Sequence, residues 1–156
     1  MTEEQAKRRF PKILVGIDGS EASIDASRSA IVITKKYNSQ LTALFVLHMH
    51  GIRSVSSTFI TAPTYGVEGF EEDKRAAQEW LDRIRLEGQG EGIDIDTKII
   101  EGYTSVEATI VDYAEGEGVD LIVIGTRGRT GFKRLLLGSV ALGVVTYSHY
   151  PVLVVK

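Results

Sequence analysis

The chain has 156 residues, no cysteine and a formal net charge of −3. That length fits one domain whose core buries about 70% of the surface exposed by the unfolded chain. The lack of thiols excludes disulfides, thiolate metal sites and cysteine nucleophiles, and the acidic balance argues against a general nucleic-acid binder, which needs a basic excess.

Residues 1–11 form a polar, charged N-terminal extension with no apolar h-region, and no later run approaches membrane-spanning length. A soluble, cytoplasmic protein without a membrane partner is therefore expected. Lys12-Ile-Leu-Val-Gly-Ile17 then reads as a strand buried on both faces. It ends at Asp18-Gly19-Ser20, where Asp18 or Ser20 is available to cap a helix. The apolar stripe of that helix is Ala22, Ala26, Ala30, Ile33 and Tyr37. A second strand covers Leu41 to His48. Residues 50–66, rich in Ser and Thr with Pro63 inside, are too long and polar for an ordinary connection and read as a flexible loop, either functional or disordered. A second helix runs from about Phe70 to Leu86, with Ala77, Trp80, Leu81 and Ile84 on its inner face and Gly88, Gly90 and Gly92 at its end.

In the third strand, Ile93, Ile95, Thr97 and Ile99 alternate with Asp94, Asp96 and Lys98, the pattern of a sheet edge. Thr104-x-x-Glu107 reads as a capping box opening a third helix through Ile110, Tyr113 and Ala114, stopped by Gly116 and Gly118. A buried strand, Val119 to Ile124, leads into the segment Gly125-Thr-Arg-Gly128-Arg-Thr-Gly-Phe-Lys-Arg-Leu-Leu-Leu-Gly138-Ser139. An apolar helix follows from Val140 to Tyr147, and Pro151-Val-Leu-Val-Val155 closes the chain as a fifth strand. Alternating strands and helices predict a single-domain α/β fold, residues 12–156, with a mostly parallel sheet and helices on both faces.

The glycine segment carries the chemistry. Strand, glycine loop and helix follow in order, so the loop backbone can approach an anion while the helix start supplies unpaired N–H donors and the positive end of a dipole. Arg127, Arg129, Lys133 and Arg134 concentrate positive charge within it. His48-x-His50 puts two imidazoles on one strand face, but two ligands without a third favour ordinary histidines over a metal site. No G-x-S-x-G elbow or other nucleophile system is present, so no catalytic residue is assigned.

The spacing Gly125-x2-Gly128-x9-Gly138-Ser139, after a hydrophobic strand and joined to an N-terminal strand ending in Asp18, resembles that of the universal stress protein family, specifically its ATP-binding branch. The resemblance runs from Lys12 to Val155. It implies a Rossmann-like, five-stranded parallel sheet in the order 3-2-1-4-5, with nucleotide across the carboxyl ends of strands one and four, where open α/β sheets bind ligands at the reversal of winding. It further implies that Asp18 accepts the ribose hydroxyls beside Gly16 and Ile17, and that the backbone at His48 and Met49 meets adenine. Gly125, Thr126, Arg127 and Gly128 would pass under the ribose and α-phosphate, with Gly138, Ser139 and Val140 at the β- and γ-phosphates and Ser139 also capping the last helix. ATP, with or without Mg2+, is the expected ligand, other adenine nucleotides being alternatives. The function so implied is a regulatory or protective nucleotide-binding module in stress response, acting on itself or on an unidentified protein partner.

A slow ATPase or a nucleotide-transfer enzyme of related fold is the rival, against which stands the absence of a Walker A motif and of a Ser-Gly-Gly-x-Asp loop. A non-nucleotide interaction module, similar to family members without the glycines, ranks third. An outermost, apolar strand 152–155 predicts a homodimer paired across that edge, which the resemblance also implies.

Overall fold

Strand β1 (Lys12–Ile17) is buried at every residue after Lys12, and the rest of the chain is laid out around it. The computed structural model describes residue 2 and residues 9–48, 65–126 and 137–156, except for the side chains of 65–68. In order come α1 (Glu21–Tyr37), β2 (Gln40–His48), α2 (Tyr65–Gly90), β3 (Ile95–Gly102), α3 (Val106–Glu117), β4 (Leu121–Gly125), α4 (Ser139–Tyr147) and β5 (Val152–Val155). The five strands form one sheet in the order β3-β2-β1-β4-β5 with every pair parallel, the predicted topology. No helix among the described residues is long and apolar enough to cross a membrane.

The two-residue period of the strands divides the core. Ile13, Val15 and Ile17 of β1 join Ala43 and Phe45 of β2 in a cluster with Ala26 and Ala30 of α1 and Ala77, Leu81 and Ile84 of α2. Leu14, Leu44, Ile122 and Ile124 face the other way, onto Ile110 and Ala114 of α3 and Ala141 and Val144 of α4. Helices therefore cover both faces, and the central strands read as continuous apolar runs because neither face meets water. Edge strand β3 alternates buried Ile95 with exposed Asp96 and Lys98. Phe10, in the predicted extension, packs on the first cluster and makes an edge-to-face contact with Tyr37 at 5.5 Å, so the folded unit begins before Lys12.

Several local expectations are corrected. The buried face of α1 is Ser23, Ile24, Ala26, Ser27, Ala30, Ile31 and Thr34, so it is rotated from the all-apolar stripe. The hydroxyls of Ser23 and Ser27 donate to the carbonyls of Ser20 (2.9 Å) and Ile24 (2.7 Å), which lets both residues pack as small apolar ones. Helix α2 extends from Tyr65 through Gly88 and Gly90, and its end turns at Gly92 with φ +75°. Tyr65 and Gly66 are therefore helical, while residues 50–64 of the predicted loop lie outside the described residues. Helix α3 is capped by Ser105, whose hydroxyl accepts from the Ala108 N–H at 3.2 Å, so no capping box forms from Thr104. Glu107 instead packs on α4, where a Cβ at Gly143 would overlap its Cγ at 2.5 Å.

Candidate functional site

Strands β1 and β4 run side by side from Ile13↔Leu121 to Val15↔Val123, and each stops two residues later, at Ile17 and Gly125. Because β1 pairs β2 on its other side, the crossovers leave the sheet in opposite directions from these two strands. A crevice at their carboxyl ends follows from that reversal.

Asp18 follows β1 and shapes one wall. Its Oδ1 accepts from the Ser20 N–H at 2.9 Å, and its own N–H donates to Ser23 Oγ at 3.4 Å. Ser20, not Asp18, caps α1, its hydroxyl accepting from the Ser23 N–H at 3.2 Å. Between them Gly19 takes φ +79°, a left-handed conformation that side chains disfavour. The carboxylate is thus held in a tight turn whose shape depends on one glycine.

The opposite wall starts at Gly125, which is buried against α1: a Cβ there would lie 2.6 Å from both the carbonyl carbon and oxygen of Ala22. This contact brings the end of β4 onto the first turn of the helix that follows Asp18. Gly16 differs, since a Cβ at that position would find ordinary contacts of 3.6 and 3.7 Å with Ile110 and Ile124. Thr126 is 2% exposed. Its N–H donates to Val155 O at 2.8 Å, and its carbonyl accepts from the Gly138 N–H at 2.6 Å. That last bond returns the chain to the end of β4 and fixes where α4 begins.

Gly138 is the N-cap of α4, with φ −71°, ψ 163° and no side-chain capping bond. Ser139, expected to cap the helix, is instead its first residue and is exposed. The reason is local: Gly138 O accepts the first helical bond, from Leu142 N at 2.9 Å, which moves the cap one residue earlier. The N–H groups of Ser139, Val140 and Ala141 therefore open the helix without i−4 acceptors. Val140 is half-buried on the α3–α4 cluster. His48 ends β2 in register with Gly102 of β3, three residues beyond the Ile17↔Phe45 pair. Met49, Arg127 and Gly128 lie outside the described residues, as do His50, Arg129, Lys133 and Arg134.

The structure thus gathers Ile17, Asp18, Gly125, Thr126, Gly138, Ser139 and Val140 at one end of the sheet, with Gly16 one step inside. It leaves His48 one strand away. The pattern reading puts Ala22 on the apolar stripe of α1 and Trp80 on the inner face of α2, and does not show that Ala22 meets Gly125 or that the Trp80 indole lies against Gly19. Nothing in the sequence ties those two positions together. Among the described residues no three His, Asp or Glu side chains gather as a metal site. A cleft of about 600 Å³ between α1 and α2 lies elsewhere, bridged by the Arg28–Glu87 and Lys35–Glu91 ion pairs at 3.1 Å.

Chemically, the crevice offers an acceptor on one side and backbone donors with a positive helix end on the other. An open doubly wound α/β domain with such a polarised switch point is suited to a ligand carrying both hydroxyls and an anion. The chain belongs to the universal stress protein family, whose model matches residues 9–156. It is 37% identical over 149 residues to Universal stress protein MJ0531 of Methanocaldococcus jannaschii, covering 94% of this chain and 82% of that one. Its fold is similar to that of universal stress protein UspA from Lactobacillus plantarum, with a TM-score of 0.82 at 26% identity over 95% of this chain and 99% of the other. A universal stress protein solved in complex with cAMP is also similar, at 25% identity and a TM-score of 0.69 over 95% of this chain and 98% of its own.

Proposed function

We propose that this chain binds an adenine nucleotide, ATP foremost, in the crevice between the ends of β1 and β4, and that the ligand regulates or protects it as a stress-response module. The observation that carries this reading is the start of α4: a nine-residue helix opening at the switch point on a glycine N-cap, which itself supplies no side-chain bond to the first N–H groups. An outside anion is the natural partner of such donors. The related fold solved with cAMP supports the ligand class.

In this reading Asp18 accepts the ribose O–H groups, and the N–H groups of Ser139 and Val140 donate to the phosphates, joined by the Ser139 hydroxyl. Gly138 lacks a Cβ where the phosphate chain passes, and Thr126 holds that turn through its carbonyl. The family resemblance assigns His48 and Met49 to adenine and Arg127 and Gly128 to the ribose and α-phosphate, with Mg2+ accompanying the triphosphate. One helix start contributes about 0.3 to 1 kcal/mol to an exposed anion. A micromolar site near −8 kcal/mol therefore draws on several donors and on burial of adenine. A ligand bound only to the native form, at a hundredfold excess over its Kd, stabilises it by about 2.7 kcal/mol, a protective effect in itself. A homodimer paired through β5 belongs to the same proposal.

The test is to denature the purified protein and measure released adenine nucleotide, then titrate nucleotide-free protein with ATP, AMP and cAMP by calorimetry. Bound nucleotide in the wild type, lost in Gly138→Val while the melting temperature of the free protein is kept, is the expected result. No heat with any adenylate would sink the reading.

A further inference from the structure

Helix α2 belongs to neither strand that forms the crevice, yet it supplies the outer wall of the Asp18 turn. Were Gly19 given a Cβ, that atom would lie 2.6 Å from the indole Nε1 of Trp80 and 3.0 Å from Cδ1 and Cε2. The pyrrole side of the indole therefore rests on the Gly19 backbone. The ring is itself held in place, packed on the α1–α2 core cluster and with the Arg83 guanidinium 5.4 Å from its centroid. On the inner side of the same turn, Asp18 Oδ1 accepts from the Ser20 N–H at 2.9 Å. The indole contact falls on Gly19, the residue next to Asp18 in the chain, and Gly19 holds φ +79°. A left-handed glycine is among the most adaptable backbone units, so a rigid ring against it adds a wall to a turn that the Asp18 and Ser20 hydrogen bonds also hold.

We propose that Trp80 is a positioning residue of the nucleotide crevice: by bracing Gly19 it fixes the Asp18 carboxylate and so sets how strongly the site distinguishes a ribose from a sugar without 2′ and 3′ hydroxyls. This rests on the proposed nucleotide site and on Asp18 as the ribose acceptor. Trp80 touches no ligand; it acts only through the turn. A purely structural tryptophan would instead affect every ligand alike.

The experiment is calorimetric titration of wild type, Trp80→Leu and Trp80→Phe with ATP and with 2′,3′-dideoxy-ATP. Wild type should prefer ATP by about tenfold or more, the scale of losing hydrogen bonds to a charged acceptor. Trp80→Leu should lose most of that preference while its affinity for dideoxy-ATP stays within about twofold, and Trp80→Phe, which keeps an aromatic wall, should retain part of it. Equal weakening of both ligands, or an unchanged preference, overturns the proposal and leaves the nucleotide site standing. Wild type that binds neither ligand overturns the site itself. Because Trp80 is the only tryptophan of the chain, the unaltered protein gives a second readout that no folding defect can blur. Its emission should shift on saturation with ATP and shift less with dideoxy-ATP; identical spectra for the two saturated complexes overturn the proposal.

Discussion

Gly16 and Gly125 are the same residue type at adjoining strands, and both stand among the residues that the family resemblance assigns to the ligand. Their surroundings separate them. At Gly16 a methyl group finds contacts of 3.6 Å or more, all to side-chain atoms. At Gly125 it meets the Ala22 carbonyl at 2.6 Å, and backbone inside a helix cannot step aside as a rotamer can. Gly16→Ala should therefore leave stability unchanged or raise it by about 0.5 kcal/mol, through the lower entropy of the unfolded chain. Gly125→Ala should cost about 1 to 3 kcal/mol through overpacking. Urea midpoints at constant m-value read both, and equal midpoints would contradict the packing account. The pattern singles out Gly125 because strand, glycine and helix are local signals. Its contact with Ala22 is a property of two elements meeting, which no local signal carries, and the same holds for Trp80 against Gly19.

At the scale of elements, strand cores are legible because parallel strands buried on both faces must be apolar throughout: the sequence yields β1 with its observed bounds, and β4 and β5 to within two residues. Helix faces and caps are less so. The α1 face includes Ser23, Ser27 and Thr34, and hydroxyls that bond within their own helix do not register as apolar. The start of α3 shows the same limit, because Thr104 and Ser105 are both good capping residues and only the path of the chain chooses between them. Ser105 is extended, with φ −90° and ψ 158°, and its hydroxyl reaches the Ala108 N–H. Ser105→Ala should accordingly destabilise the protein by about 1 kcal/mol, whereas Thr104→Ala, at an exposed position, should stay within about 0.5 kcal/mol of wild type. Thermal melts of the two variants side by side decide it, and a larger loss at Thr104 would restore the capping box.

The whole molecule has two sheet edges that are built differently. Along β3 the outward positions carry Asp96, Lys98 and Glu101, charges that discourage another strand from adding there. Strand β5, Val152–Val155, carries no charge and is only half-buried along its length. The helix packed beside it, α4, leaves Leu142 54%, Val145 44% and Tyr147 65% exposed. An uncharged ladder next to exposed apolar side chains invites pairing, and two copies related by a two-fold axis would join their β5 strands antiparallel into one continuous sheet, closing the edge for both. The same strand anchors the crevice, since Val155 O accepts the Thr126 N–H at 2.8 Å, so association would also steady the turn that leads to Gly138. Light scattering should return twice the mass of the chain for the wild type and a single mass for Leu142→Glu combined with Val145→Glu. Both of these side chains are solvent-facing in the free chain, so the double variant should keep its circular dichroism spectrum and fold as before. A wild type that remains at one chain mass across micromolar concentrations would show that β5 is a tolerated free edge.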